Sequence, residues 1–341
     1  MPGPAPPLDI VVVGWHTHNK MFDGISADLQ KDGHRIVRHV DRAAFGAASE
    51  PLANADLLLC CANFPVTRAI LAGAPRLRAV VSAITGTEGV DVPAATDHAV
   101  VIANAQTFEN VTGMAEATVL LMLGTLYDFN GTQQLIREGL PRPDPLRARQ
   151  LRGKTIGFLG FGKIGRECAR LLAPWGARLQ YCARRDADLT GLPPVERVDL
   201  DTLLRGSDVV CVLTSLNAET RGLLSAEKLR LMKRSAILVN TARGAIIDEN
   251  ALIQVLRDKA IAGAALDCFA VEPLPKDSAL RELPNVILTP HMIGHTYEAH
   301  ESLETATRDN LRLIIGGKPP RYVVNPAVLP VWQQKWGGLK R

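Results

Sequence analysis

The stretch Gly160-Phe161-Gly162-Lys163-Ile164-Gly165 is entered from Lys154-Thr155-Ile156-Gly157-Phe158-Leu159 and left through a helical run from Arg166 to Leu172. An apolar run, three glycines at this spacing and a helix admit few geometries. The first glycine permits a tight turn, the second lets backbone approach a diphosphate, and the third lets the helix pack closely on the strand. The N–H groups at the helix start then face a negative charge. The pattern predicts a parallel α/β unit that holds a dinucleotide on Gly160, Phe161, Gly162, Lys163, Ile164 and Gly165.

Short apolar runs alternate with helical patterns along the whole chain, which predicts parallel sheet in two α/β domains of Rossmann-like or flavodoxin-like kind. A length of 341 residues agrees with two domains. Before the glycine loop, strands are expected at Ile10 to Gly14, Leu57 to Cys61, Ala79 to Ser82 and Val100 to Asn104. A long helix is expected from Thr112 to Leu135, and a Pro- and Arg-rich solvated connection from Arg137 to Leu151. After the loop, strands are expected at Arg178 to Cys182, Val209 to Leu213, Ala236 to Val239, Ala264 to Leu266 and Val286 to Leu288. A helix from Glu298 to Ile315 then leads to a tail through Asn325-Pro326, short enough that a return to the first domain is expected.

In this kind of unit an acidic residue at the end of the second strand, roughly 20 positions on, bonds a ribose 2′-hydroxyl and repels a 2′-phosphate. Here Cys182 stands in that place, followed by Ala183, Arg184 and Arg185. Guanidinium groups grip phosphate in bidentate fashion, so NADP(H) is favoured over NAD(H). Asp186 and Asp188 stand near enough to restore NAD use if they turn inward.

Three later strands each deliver a polar group at the carboxyl end, where open parallel sheets bind ligands. Ala236 to Val239 leads to Asn240, Thr241 and Arg243; Ala264 to Leu266 leads to Asp267 and Glu272; Val286 to Leu288 leads to Thr289-Pro290-His291. Taken singly, each has a bland structural reading. Together they suit a 2-oxo acid receiving a hydride at C2 and a proton at its carbonyl oxygen. His291 is the acid or base, Glu272 orients the ring and keeps it protonated, and Arg243 grips the carboxylate and polarises the carbonyl.

On these residues the chain resembles the D-isomer-specific 2-hydroxyacid dehydrogenase family. The matching segments are Gly160 to Gly165, Val239-Asn-Thr-Ala-Arg-Gly244, Gly263-Ala-Ala-Leu-Asp-Cys-Phe-Ala-Val-Glu-Pro273 and Leu288-Thr-Pro-His291, within a similarity running from about Leu8 to Pro326. The resemblance implies catalytic roles for Arg243, Glu272 and His291, and cofactor contacts from Thr241 and from Asp267, the latter to the nicotinamide carboxamide. It implies that Ile84-Thr85-Gly86 offers backbone N–H groups to the substrate carboxylate. It further implies a cofactor domain over 109–304 inserted into a discontinuous substrate domain of 8–108 plus 305–341, in an enzyme that is usually a homodimer. Asn110 and Glu116 match the family's domain-crossing helix. Leu213-Thr214-Ser215-Leu216-Asn217 departs from the His-x-Pro-Leu-Thr of many members, so the wall near the nicotinamide is expected to differ.

Composition narrows the alternatives. A net charge of +4 with no long Lys/Arg block argues against nucleic acid as a partner and suits a small anionic substrate. Met1 to Pro7 lacks the apolar core of a signal peptide, and Val119 to Tyr127 is too short to span a membrane. Cys60, Cys61, Cys168, Cys182, Cys211 and Cys268 show no C-x-x-C spacing, so free thiols in a cytoplasmic protein are expected, with no metal. His16 and His18 read as exposed loop residues, and the loops around Ala62-Asn63-Phe64 and Ile84 to Glu88 as setters of substrate choice. Trp332 and Trp336 read as packing or interface residues before an active-site role. A glyoxylate/hydroxypyruvate reductase-like activity leads. Phosphite-type oxidation and a dinucleotide-sensing, corepressor-like scaffold are the alternatives. A formate enzyme of this resemblance would carry Gln in place of Glu272, and a dead anion-binding site would lack one of the three catalytic residues.

Overall fold

The computed structural model describes residues 7–14, 18–40, 52–62 and 64–337, so His16 and Asn63 lie outside the described residues. Two compact units form, one of Met1–Phe108 with Tyr297–Arg341, the other of Glu109–Thr296.

The first unit carries five parallel strands, β1 Asp9–Val13, β2 Arg35–His39, β3 Leu57–Cys60, β4 Ala79–Ser82 and β5 Val101–Ala103, in the order β2-β1-β3-β4-β5. Side chains alternate across the sheet. Ile10, Val12, Leu57, Leu59 and Val81 face one core with Phe22, Leu311, Ile314 and Trp332, whereas Val11, Leu58, Val80 and Ile102 face another with Leu71 and Leu77. Such two-sided burial explains the unbroken apolar runs in β3 and β4.

The chain re-enters this unit at Tyr297, earlier than 305. The helix Tyr297–Ile315 begins there, and its Leu303 and Ala306 pack with Ala105 and Ile84. Asn325 then stitches the tail to β5: its Oδ1 accepts Ile102 N–H at 2.8 Å and its Nδ2 donates to Val100 O at 3.0 Å. Trp332 is fully buried in the first core and donates from Nε1 to Arg78 O at 2.8 Å. Trp336 lies against the Arg78 guanidinium, 4.7 Å from its ring centroid. His18 is buried and stacked on His300 at 5.7 Å, which corrects the exposed-loop expectation.

The second unit holds seven parallel strands: β6 Thr155–Leu159, β7 Arg178–Cys182, β8 Val195–Arg197, β9 Val209–Val212, β10 Ile237–Asn240, β11 Gly263–Leu266 and β12 Val286–Leu288. Their order is β12-β11-β10-β9-β6-β7-β8. The order reverses between β9 and β6, and the carboxyl ends beside that reversal are where such sheets bind ligands. The expected helix from Thr112 to Leu135 is two helices, Phe108–Leu126 and Phe129–Glu138, because Asp128 breaks the run with a left-handed φ of 48°. The arginine-rich connection is pinned to its own unit: Arg147 pairs with Asp128, and Arg149 donates to Ser235 O.

Candidate active site

Most strands of the second unit lead at their carboxyl ends into residues of the candidate site. After β6, Gly160 adopts φ +93°, and a Cβ there would meet Thr214 N at 2.5 Å, so neither conformation nor space admits a side chain. A Cβ on Gly162 would meet nothing within 4 Å, which leaves open room over the start of the helix Lys163–Leu172. Gly160 N–H bonds Cys182 O at 2.8 Å, locking this loop to the end of β7. Phe161 is buried and stacked on Tyr181 at 4.5 Å, so only its backbone faces the loop's concavity. Lys163 is exposed, Ile164 half-buried and Gly165 buried.

At the end of β7, Cys182 is half-buried and its thiol is pushed up by burial. Arg184 Nη1 pairs with Glu219 Oε2 at 3.0 Å. Asp186 pairs with Arg197, and Asp188 Oδ1 accepts Thr190 N–H at 3.0 Å. Neither aspartate is turned inward. Leu213 to Asn217 follows β9 against the glycine loop, and Glu219, just beyond, reaches the end of β7. This segment therefore borders the glycine loop and the turn after β7.

Arg243, Glu272 and His291 are brought together within this unit. His291 Nδ1 and Glu272 Oε2 lie 2.7 Å apart, and Glu272 Oε1 accepts Phe269 N–H at 3.0 Å. Both side chains are half-buried. Burial pushes the Glu272 carboxyl up. The His291 hydrogen bond, the Phe269 amide and the charges of His291 and Arg243 outweigh it, and the group stays below its ordinary value. Arg243 Nη1 donates to Ala242 O at 2.7 Å.

Two groups that the sequence reading left without a role, or gave a different one, hold this cluster in shape. Asn240 is fully buried; its Oδ1 accepts Ala242 N–H at 3.0 Å and its Nδ2 donates to Arg243 O at 3.1 Å. It sets the turn that presents Arg243. Only its place at a strand's end signalled this. Asp267 Oδ1 accepts Thr289 Oγ1 at 2.7 Å, Met292 N–H at 3.0 Å and Ile293 N–H at 3.2 Å. Those three donors flank His291, whose φ is +53°. Burial pushes the Asp267 carboxyl above its ordinary value despite these bonds and the nearby His291 charge. Thr241 Oγ1 bonds Thr118 Oγ1 at 2.9 Å, tying the Arg243 loop to the helix Phe108–Leu126.

Ile84, Thr85 and Gly86 belong to the first unit. Their carbonyls are all engaged: Ala105 N–H donates to Ile84 O at 3.1 Å, Asn104 Nδ2 to Thr85 O at 2.8 Å and Ser82 Oγ to Gly86 O at 2.7 Å. In a trans peptide the N–H points opposite the carbonyl, so the amides of Thr85, Gly86 and Thr87 face away from these partners. The six cysteines carry no disulfide, and no group of three or more His, Cys, Asp or Glu that could hold a metal is found among the described residues.

Residues 119–293 match the NAD binding domain of the D-isomer specific 2-hydroxyacid dehydrogenases. A glyoxylate reductase of Thermofilum pendens is 36% identical over 282 residues, covering 81% of this chain and 83% of its own. A glyoxylate/hydroxypyruvate reductase B of Pectobacterium carotovorum is 34% identical over 318 residues, covering 92% and 98%. An NADPH-dependent glyoxylate/hydroxypyruvate reductase of Sinorhizobium meliloti, solved with NADP and malonate, superposes with a TM-score of 0.81 at 25% identity, covering 95% and 98%. The fold and the paired imidazole and carboxylate thus define a nicotinamide-dependent oxidoreductase. The chain belongs to the D-isomer-specific 2-hydroxyacid dehydrogenase family.

Proposed function

We propose that this protein reduces small 2-oxo acids to D-2-hydroxy acids with NADP(H), and that glyoxylate and hydroxypyruvate are its first candidate substrates. The observation that carries the reading is the 2.7 Å contact between His291 Nδ1 and Glu272 Oε2 in a cluster whose charges include Arg243. Glu272 fixes the ring by taking Nδ1–H, which leaves Nε2 to give its proton to the developing alkoxide. In the oxidative direction neutral Nε2 takes the proton back. Arg243 holds the carboxylate and polarises the carbonyl. A bound nicotinamide dinucleotide supplies the hydride.

The chain's own residues suit that group. The space over Gly162, the helix start beyond it and the tight Gly160 turn form a cradle for a diphosphate. Support for the 2′-phosphate comes from Arg184 and Arg185, from the engagement of Asp186 and Asp188 elsewhere, and from the NADPH dependence of the Sinorhizobium relative.

A homodimer is supported by the segment after Leu126. The helix Phe129–Glu138 buries none of its residues, and Phe129, Ile136 and Leu146 are 58%, 78% and 83% exposed. A cavity of about 300 Å³ lined by Tyr127, Leu151, Arg152 and Trp175 lies in the same unit. Exposed apolar knobs and an aromatic-edged hollow in one unit suit a self-complementary contact with a second copy. Free thiols throughout support a reducing compartment such as the cytoplasm. No helix among the described residues is long and apolar enough to cross a membrane.

The test is initial-rate oxidation of NADPH and NADH against 2-oxo acids from glyoxylate to phenylpyruvate, with His291→Ala as control. The reading requires NADPH-preferring turnover that the control loses. Cofactor binding without turnover of any 2-oxo acid would overturn it.

A further inference from the structure

At the carboxyl end of β7 the charges are sorted into pairs by a residue from the neighbouring strand. Arg197 stands on β8, opposite Tyr181 in the parallel register. Its Nη2 donates to Ala183 O at 3.0 Å and lies 3.5 Å from Arg184 O, while its Nη1 pairs with Asp186 Oδ1. One guanidinium thus spans the whole turn that follows Cys182 and occupies its acidic side chain. Arg184 is engaged by Glu219, and Arg185 has no polar partner among the described residues.

We propose that Arg197 is a specificity-determining positioning residue for the cofactor. By neutralising Asp186 and bracing the Ala183 and Arg184 carbonyls, it keeps the turn receptive to a 2′-phosphate. A carboxylate at the end of this strand repels that phosphate and accepts a ribose hydroxyl instead. Asp186 is the nearest carboxylate in sequence to Cys182, four positions on. Without Arg197 it would be unpaired beside Arg185 and would compete with the phosphate for that cation. Arg197 itself need not touch the ligand; its fork is already committed to three acceptors of the turn.

The inference rests on the NADP(H) reading, and its test is direct binding, read apart from turnover. Dissociation constants for NADPH and NADH are taken by fluorescence titration, and those for 2′,5′-ADP and AMP by calorimetry. The proteins are the parent, Arg197→Gln, Asp186→Asn and the double variant. Arg197→Gln should weaken NADPH and 2′,5′-ADP about threefold to fivefold, the upper scale of an exposed charge pair, and change NADH and AMP less than about twofold. Asp186→Asn in that background should restore most of the lost ratio, and Asp186→Asn alone should leave the ratio within about twofold, since Arg197 already neutralises the carboxylate.

Equal loss of both cofactors, or no recovery in the double variant, would reduce Arg197 to a structural brace and overturn the proposal. If Arg197→Gln does not fold, Arg197→Lys decides: it keeps the charge on Asp186 and should retain most of the ratio. A parent that prefers NADH would sink the NADP(H) reading by itself, while the shift of the ratio in Arg197→Gln would still decide the role of Arg197.

Discussion

His291 holds a left-handed backbone, φ +53°, which costs a side-chain-bearing residue about 1–2 kcal/mol. Asp267 is what keeps it there, because its Oδ1 gathers donors from Thr289, Met292 and Ile293 on both sides of the histidine. Replacing Asp267 with Ala strands these donors and should cost about 1–3 kcal/mol in thermal or denaturant unfolding, with a fall in kcat. Asp267→Asn keeps the acceptor and removes the buried charge. Burial raises the Asp267 carboxyl in the folded chain, so its contribution to stability is complete below the ordinary value of 3.8 and is lost as pH rises through the folded one. The Asn variant should therefore match or exceed the parent's Tm at pH 7, and a lower Tm would refute this account. Glu272 has the opposite sign. Its carboxyl is held down, so its contribution is present above 4.5 and is lost as pH falls through the lower, folded value. A Tm–pH curve of Glu272→Gln should lack that acid step, and its kcat should fall with the ring no longer anchored by a charge. His291→Ala should lower kcat by about 10²–10⁴-fold, the usual weight of a positioned acid–base group, with cofactor affinity little changed in a binding titration.

At the scale of elements, the interior strands were legible because both faces of each sheet are covered, so β3 and β9 are apolar throughout and β4 and β10 are apolar up to a polar last residue. The edges were not. Arg35–His39 and Val195–Arg197 escape a reading by apolar runs because edge strands are half-exposed and carry charge on their open side. The second omission concealed Arg197, whose partners are 11 to 14 residues away in sequence. The motif Asn240 to Gly244 was legible as a site, but its construction was not. A Cβ on Gly244 would lie 1.9 Å from the Phe269 carbonyl carbon, so two loops meet backbone to backbone there. Gly244→Ala should destabilise the unit by about 1–3 kcal/mol and disturb Arg243 and Glu272 together, read as a lower Tm and a lower kcat/KM. In the first unit, Trp332→Ala should cost about 3–5 kcal/mol, since that side chain is fully buried and bonded to Arg78 O.

For the whole molecule, the proposed homodimer rests on a segment that looks ordinary in sequence. Phe129, Ile136, Leu140 and Leu146 alternate with polar residues much as any surface helix and loop do, yet the fold leaves all four in solvent. If the proposed dimer forms through this face, Ile136→Glu combined with Leu146→Glu should give a monomer in sedimentation at micromolar concentration, with the Tm of each unit little altered. A parent that sediments as a monomer would remove the dimer from the proposal. The parallel α/β class, the glycine loop and the polar strand-end residues Arg243, Glu272 and His291 could be read from the chain alone, because strand period and turn sterics are local constraints written in short stretches. Only the tertiary structure decided that Asp186 is held by Arg197, that Asp267 fixes the turn around His291, and that Trp332 fills a core rather than a surface. Each of these depends on which distant segments the fold makes neighbours, and that neighbourhood is fixed by burial of whole sheets rather than by any single stretch of chain.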